Sequence, residues 1–410
     1  MNEIKPTKSI GVPTPLVDGP EKVSGKAQYS ADFMPSDYLV GRIFRSPVSH
    51  AEIIDVDISA AQALPGVKAV ITGDETDETF GILPVARFEY PLARDKVRYK
   101  GEPVACVAAV DVETAQKAVD LIKFKYKELP AYFTSQEAMA EGAVNIHDHR
   151  ERNIEREVDY DLGEVDEGFE AADLVMEETF NCAEVAQSQM EPHAAIAEYD
   201  PTRDFMTIHA STQVPYYGHL MLAKVLKMEE SQIRMIKPFV GGGFGCRTEC
   251  LNVELICALV ARAAGGTVRI VISREETFIT HRGRPETDVE MKIGLTKDGV
   301  ITAVDFKAIQ RGGAFSGYGI VTILYAGGMV FGLYDLPAVR YKGLRVLTNT
   351  PPCGAMRGHG VTNVRYAFES LLEKMANELS IDPIEIRRRN LLLGPKYETL
   401  NEMFINSYGL

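Results

Sequence analysis

The chain has no tryptophan, and its 410 residues include only six cysteines. No pair of cysteines is spaced Cys-x-x-Cys, and no iron–sulfur ligation run is present, so any redox relay cofactors must sit on other chains. No apolar run approaches the roughly 20 residues needed to span a bilayer. A dinucleotide fingerprint of the G-x-G-x-x-G type is missing, as is the Gly-Lys-Ser/Thr of a phosphate loop, which argues against nucleotide triphosphate binding. Positive charge is in deficit: 44 basic residues stand against 58 acidic ones, a net charge of -14. Nucleic-acid binding needs a basic footprint, so that function is excluded, and an anionic membrane surface is disfavoured. The start, Met1-Asn2-Glu3-Ile4-Lys5-Pro6, has neither an apolar core nor twin arginines; with ordinary thiol usage, this predicts a cytoplasmic protein with reduced cysteines.

What is present is a globular composition, 45% hydrophobic and 25% charged, with 34 glycines. The length suggests two domains. Residues up to about Tyr132 alternate short strands and helices. Val67 to Thr72 reads as a strand, Pro103 to Val110 as a buried strand, and Asp111 to Ile122 as an amphipathic helix with Asp111 or Thr114 as its cap. Residues 133–160 are polar, and the segment Asn145-Ile146-His147-Asp148-His149-Arg150 reads as a solvated connector. The second domain, 161–410, contains predicted helices at Tyr216 to Lys227, Glu249 to Ala264 and Tyr366 to Leu379. It also holds a hairpin of Thr287 to Leu295 with Val300 to Gln310. The predicted class is α+β, with an N-terminal extension over 1–15 and a first domain over 16–132.

Three loops carry the chemistry. Lys237-Pro238-Phe239-Val240-Gly241-Gly242-Gly243-Phe244-Gly245 places four glycines in five positions before a predicted helix. Such a loop lets backbone N–H groups approach an anion or an oxo group, though a purely structural turn is the rival reading. Asn349-Thr350-Pro351-Pro352-Cys353-Gly354-Ala355-Met356-Arg357-Gly358-His359-Gly360 is a stiff loop able to hold an arginine and a histidine in fixed poses; a lone loop histidine is otherwise commonly structural. Ala210-Ser211-Thr212-Gln213-Val214-Pro215 offers Gln213 as a donor, although a helix cap by Ser211 or Thr212 explains the segment as well. Cys246, Cys250 and Cys257 lack a histidine partner and read as buried thiols rather than a metal site.

In this order, the three loops resemble the molybdenum-binding subunit of the xanthine oxidase family of molybdenum hydroxylases, from about Val12 onward. Asp18-Gly19-Pro20-Glu21-Lys22-Val23-Ser24-Gly25, Arg45-Ser46-Pro47 and Val97-Arg98-Tyr99-Lys100-Gly101-Glu102-Pro103 resemble motifs of its α/β hammerhead domain. The rest resembles the first half of its molybdopterin-binding region. The resemblance implies that Gln213 faces a molybdenum oxo ligand, that Gly243, Phe244 and Gly245 line the metal, and that Arg357 contacts the cofactor. Aimed amide donors would stabilise the charge that develops there. The implied cofactor is molybdopterin, as a cytosine dinucleotide in bacterial relatives, with FAD and iron–sulfur clusters on partner subunits.

Departures from the purine-oxidising pattern bear on substrate. His359 stands where those relatives carry phenylalanine, Tyr325 where they carry arginine, and Thr248, beside Glu249, where they carry a substrate-facing glutamate. With Ile320-Val321-Thr322-Ile323-Leu324-Tyr325, the pattern is similar to catalytic subunits of 4-hydroxybenzoyl-CoA reductases. That implies reductive dehydroxylation of an aromatic thioester, with ferredoxin-type electron supply and with Tyr325 and His359 as proton donors. Hydroxylation of a heterocycle or aldehyde with water is the alternative, and a non-catalytic scaffold is a third. Relatives continue well beyond the point matching Leu410, so the resemblance also implies a second molybdopterin-binding chain.

Overall fold

The computed structural model describes residues 12–150, 152–392, 396–398 and 403–405. Most of the expected N-terminal extension and the extreme C-terminal segment therefore lie outside the described residues. Helices and strands are mixed, and the α+β expectation holds. Among the described residues, no helix is long and apolar enough to cross a membrane.

The first domain and the start of the second share one sheet. Its strands run in the order Ile233–Ile236, Phe205–Ala210, Ala194–Asp200, Thr267–Val271, Leu39–Arg45, Pro103–Ala109 and Val67–Thr72. The junction is the parallel pairing of Leu39–Arg45 with Thr267–Val271, where Gly41 lies opposite Ile270. A Cβ on Gly41 would fall 2.4 Å from the Ile270 side chain, so the packing at the seam requires glycine. All seven residues of Pro103–Ala109 are buried, as a continuous apolar run demands of a strand covered on both faces. Helix Asn252–Ala264 covers the sheet with Leu255, Ile256, Cys257, Leu259 and Val260. Gly265 ends that helix in the left-handed region at φ 68°. Asp111 caps helix Val112–Asp120 by accepting a bond from the Thr114 N–H at 2.7 Å, as the sequence predicts.

A second sheet orders Ile154–Leu162, Val339–Leu347, Ile301–Gly313, Thr287–Leu295 and Leu174–Cys182. The predicted hairpin forms its centre. The apolar stripe of helix Val361–Glu378, Phe368, Leu371, Leu372 and Met375, packs on this sheet.

Two expectations are corrected. The polar connector is only in part a solvated loop: Asp148 and His149 are exposed, but Ile146 and Asn153 are fully buried and His147 is 4% exposed. The buried polar side chains serve the backbone. Asn153 accepts from the Ile146 N–H at 2.8 Å and donates to the carbonyls of Ala138 and Val144, while His147 Nε2 donates to the Ala314 carbonyl at 2.7 Å. Burial pushes His147 down to about 3, so it is neutral. The helix after the glycine-rich loop starts at Asn252, not Glu249. Residues 246–250 instead turn inward, with Arg247 and Glu249 buried. The free N–H groups of that helix are therefore seven residues removed from Gly245.

Candidate cofactor and substrate site

The three loops meet. The Gly245 N–H donates to Gln213 Oε1 at 3.2 Å, and the Arg357 N–H donates to the Phe244 carbonyl at 2.9 Å. The contact is close enough to forbid side chains. A Cβ on Gly243 would stand 2.5 Å from Gln213 Oε1, and one on Gly245 would stand 2.3 Å from the Ala355 carbonyl oxygen. Gly242 and Gly245 both sit at φ 106°, and Phe244 between them at φ 52°, an uncommon value for a side-chain-bearing residue. Phe244, Gln213 and Arg357 are all exposed.

A buried ion pair holds this arrangement from behind. Arg247 and Glu191 are 2.9 Å apart, with side chains 0% and 5% exposed. Arg247 also donates to the carbonyls of Glu191 and Ser211. Glu191 in turn accepts from the Ser211 hydroxyl and the Gly241 N–H, both at 2.8 Å. Ser211 is thus spent on this knot rather than on a helix cap, and Thr212 alone bonds the Val214 N–H. The backbone N–H of Gln213 completes the knot by donating to the Arg247 carbonyl at 2.9 Å. On the other side, Gln187 donates to the Ala355 carbonyl at 2.8 Å. Neither Glu191 nor Gln187 lies in a motif that marked it, and Arg247 was visible only as the neighbour of the glycine run.

Tyr325 and His359 also come together, with ring centroids 5.3 Å apart in edge-on geometry. A third ring joins them. Tyr318 lies 4.8 Å from His359, ring centroid to ring centroid. Burial, with the Arg345 guanidinium nearby, pushes His359 down to about 4. Its imidazole is therefore neutral near pH 7, and Nε2 is buried without a hydrogen-bond partner. Gly360, at φ 78°, brings this loop onto helix Thr322–Gly328, where a Cβ would stand 2.2 Å from the Thr322 carbonyl oxygen. Arg345, paired with Glu155 at 2.6 Å in full burial, donates to the carbonyls of Gly312 and Cys353 and fixes the base of the loop.

Glu249 does not face the site. It is 2% exposed and lies 3.9 Å from Arg282. Cys246, Cys250 and Cys257 do not converge on a metal: no group of three His, Cys, Asp or Glu ligands occurs among the described residues. Burial raises all three thiols, and Cys257 donates to the carbonyls of Ala195 and Val268.

The donor set fits a metal carried by an organic ligand. Because Oε1 of Gln213 is engaged by Gly245, the amide NH2 is the end available to an outside acceptor. The glycine backbone leaves room for close approach, and the exposed Arg357 can pair with an oxyanion. Beside the loop lies a groove of about 840 Å³ lined by Gln189, Met190, Gly241, Gly242 and Phe244, wide enough for an extended ligand.

Residues 24–130 match the a/b hammerhead domain of aldehyde oxidase and xanthine dehydrogenase, and residues 146–391 match the molybdopterin cofactor-binding domain. The chain is 36% identical to the nicotinate dehydrogenase large molybdopterin subunit of Eubacterium barkeri, over 96% of this chain and 92% of that one. It is 33% identical to a probable xanthine dehydrogenase subunit of Bacillus subtilis, over 92% of this chain but 51% of the relative. The quinoline 2-oxidoreductase structure from Pseudomonas putida 86 superposes with a TM-score of 0.90 at 30% identity, covering 98% of this chain and 52% of that one. The chain thus spans nearly all of one relative and about half of the others. It belongs to the aldehyde oxidase and xanthine dehydrogenase family of molybdenum-dependent oxidoreductases, as a molybdopterin-binding subunit.

Proposed function

We propose that this chain supplies one half of the molybdenum site of an enzyme that hydroxylates an aromatic N-heterocycle with water. The observation that carries the reading is the uncharged wall of Tyr318, Tyr325 and His359 beside the Gln213 and glycine-loop cradle. A neutral imidazole and phenols suit a planar ring recognised by ring contact and neutral hydrogen bonds. Relatives named for nicotinate, nicotine and quinoline support the substrate class. When bound, the molybdenum cofactor supplies two-electron oxidation of a ring carbon. The overall change is ring C–H plus water to ring C–OH, two protons and two electrons.

In this reading Gln213 donates its amide NH2 toward the cofactor, Arg357 pairs with an oxyanion of the ligand, and the glycine loop orients both. FAD and iron–sulfur chains carry the electrons away, and a second molybdopterin-binding chain completes the site. The coverage supports that split, since the Eubacterium barkeri relative is matched over 92% of its length where longer relatives are matched over about half. The cytosine dinucleotide form of the cofactor is part of the same proposal.

The second reading, reductive dehydroxylation of a 4-hydroxybenzoyl-CoA-like thioester, draws on the contact of Tyr325 with His359. It is weakened by the depressed basicity of His359, which leaves no imidazolium to donate a proton near neutral pH. The assembled complex, assayed with quinoline- and pyridine-type rings in isotopically labelled water, should yield hydroxylated products carrying the solvent oxygen. Thioester reduction without heterocycle turnover would overturn the proposal in favour of the second reading.

A further inference from the structure

Residues 28–33 of the first domain form a strap that crosses the second and is fastened there at several points. The Phe239 N–H donates to the Gln28 carbonyl at 3.3 Å, and Tyr29 makes a parallel bridge to Phe239. Arg269 donates to the Ala31 carbonyl at 2.6 Å, and the Phe33 ring stacks on His209 with centroids 4.4 Å apart. Asp32 accepts from the Tyr29 N–H at 3.0 Å and closes the turn Ser30–Asp32. That turn aims the N–H of the fully buried Ser30 at Glu191 Oε1, 3.2 Å away. Glu191 Oε2 meets the Ser211 hydroxyl and the Gly241 N–H at 2.8 Å, and Arg247 at 2.9 Å. The Glu191 N–H donates in return to the Gly241 carbonyl at 3.2 Å, and a Cβ on Gly241 would stand 2.6 Å from the Glu191 Cβ. One carboxylate thus receives four donors from four segments of the chain.

We propose that Glu191 is a positioning residue that holds the glycine-rich loop in place against Gln213, and that the strap of the first domain aims it. The inference rests on the reading of this cradle as the molybdopterin site and adds to it a residue and a coupling between the domains. The two oxygens of Glu191 serve different elements. Oε2 holds the cradle, since Ser211 lies two residues before Gln213 and Gly241 opens the run of glycines. Oε1 holds the strap. A carboxylate fixed at both oxygens cannot turn about its terminal bond, so the strap's hold on Oε1 sets the direction of Oε2. The same strap contributes Tyr29, Ala31 and Asp32 to the wall of the groove beside the loop. The first domain therefore takes part in shaping the site.

Two variants of the assembled complex separate positioning from packing. Glu191→Gln keeps the size of the side chain; with its carbonyl oxygen on the three donors at Oε2, its NH2 opposes the Ser30 N–H and the strap bond is lost. Asp32→Ala changes an exposed residue and loosens the turn that aims Ser30, altering nothing on Glu191 or the loop. Amide hydrogen exchange across residues 237–245, read with and without bound pterin, should speed about fivefold in Glu191→Gln and about threefold in Asp32→Ala, as the loss or weakening of one hydrogen bond implies. Pterin should leave both variants faster by similar factors. In Glu191→Gln, kcat per bound molybdenum should fall about tenfold while KM moves less than about twofold, because the cofactor rather than the substrate is misplaced. A packing role alone would lower the urea midpoint of Glu191→Gln and leave loop exchange in Asp32→Ala untouched. Unchanged loop exchange in Asp32→Ala, or unchanged pterin release and kcat per molybdenum in Glu191→Gln, overturns the proposal. If Glu191→Gln fails to assemble, Asp32→Ala decides by loop exchange and pterin release. A wild-type complex that carries no molybdopterin overturns the cofactor reading itself, a result read before any variant is compared.

Discussion

Gln213 can present only one end of its carboxamide, because the Gly245 N–H has taken the other. That single bond turns a flexible polar side chain into an aimed donor, and aimed donors are what a redox centre of changing charge exploits. Gln213→Ala should therefore slow turnover about tenfold or more, measured as kcat on the assembled complex, with thermal stability nearly unchanged. Unchanged kcat would reduce Gln213 to a loop fastener. The residues of the cradle were legible because glycine, glutamine and arginine in ordered motifs are rare punctuation. Tyr318, Glu191 and Arg247 were not. Their roles depend on partners 41, 20 and 56 positions away in the chain, which residue spacing alone does not reveal.

Elements were legible where a periodic apolar pattern was long, as in helix Val361–Glu378 and the central hairpin of the second sheet. They were misjudged where polar groups were buried. The connector around His147 looked solvated because its polarity, internally spent on backbone carbonyls, resembles that of a surface loop. The start of helix Asn252–Ala264 was placed too early for a related reason: Arg247 and Glu249 are helix-compatible by propensity but are drawn into buried pairs. The true start is marked by Glu254, whose carboxylate accepts from the Leu251 N–H at 3.1 Å. Burial pushes Glu254 up to about 7 from an ordinary 4.5, so the folded state favours its protonated form. Its contribution to stability is complete below about pH 4.5 and is lost as pH rises through 7, by about 3 kcal/mol in all. Glu254→Gln should remove that loss. Urea unfolding at pH 5 and pH 8 should show the variant's stability relative to wild type rising with pH, and a constant difference would contradict the assignment.

At the scale of the whole molecule, the two regions recognised separately in the sequence are fused by one sheet and one ionic knot. Leu39–Arg45 pairs directly with Thr267–Val271, and Arg282 of the second region donates to both oxygens of Glu89 in the first, at 2.8 and 2.7 Å. Arg282 also faces Glu249, so two nearly buried carboxylates share one guanidinium. Arg282→Met leaves both unpaired and should cost about 3–5 kcal/mol, read as a lowered urea midpoint. The seam makes a single unfolding transition the expected behaviour, and two separated transitions would show that the regions fold independently. Local patterns could not reveal this seam, since it joins strands more than two hundred residues apart.

In the proposed reading, cofactor binding by this chain depends on the convergence of Gln213, the Gly243-Phe244-Gly245 turn and the Arg357 loop on one molybdopterin. The most direct measurement is the molybdenum and pterin content of the complex purified through this chain, wild type against Gly245→Val. A side chain at Gly245 must collide with the Ala355 carbonyl and separate the two loops. The wild-type complex should carry close to one molybdenum and one pterin per copy of the chain, and the variant should assemble with most of both lost. A wild-type complex with every partner present but no molybdenum, or a Gly245→Val complex that retains its full content, would contradict that convergence.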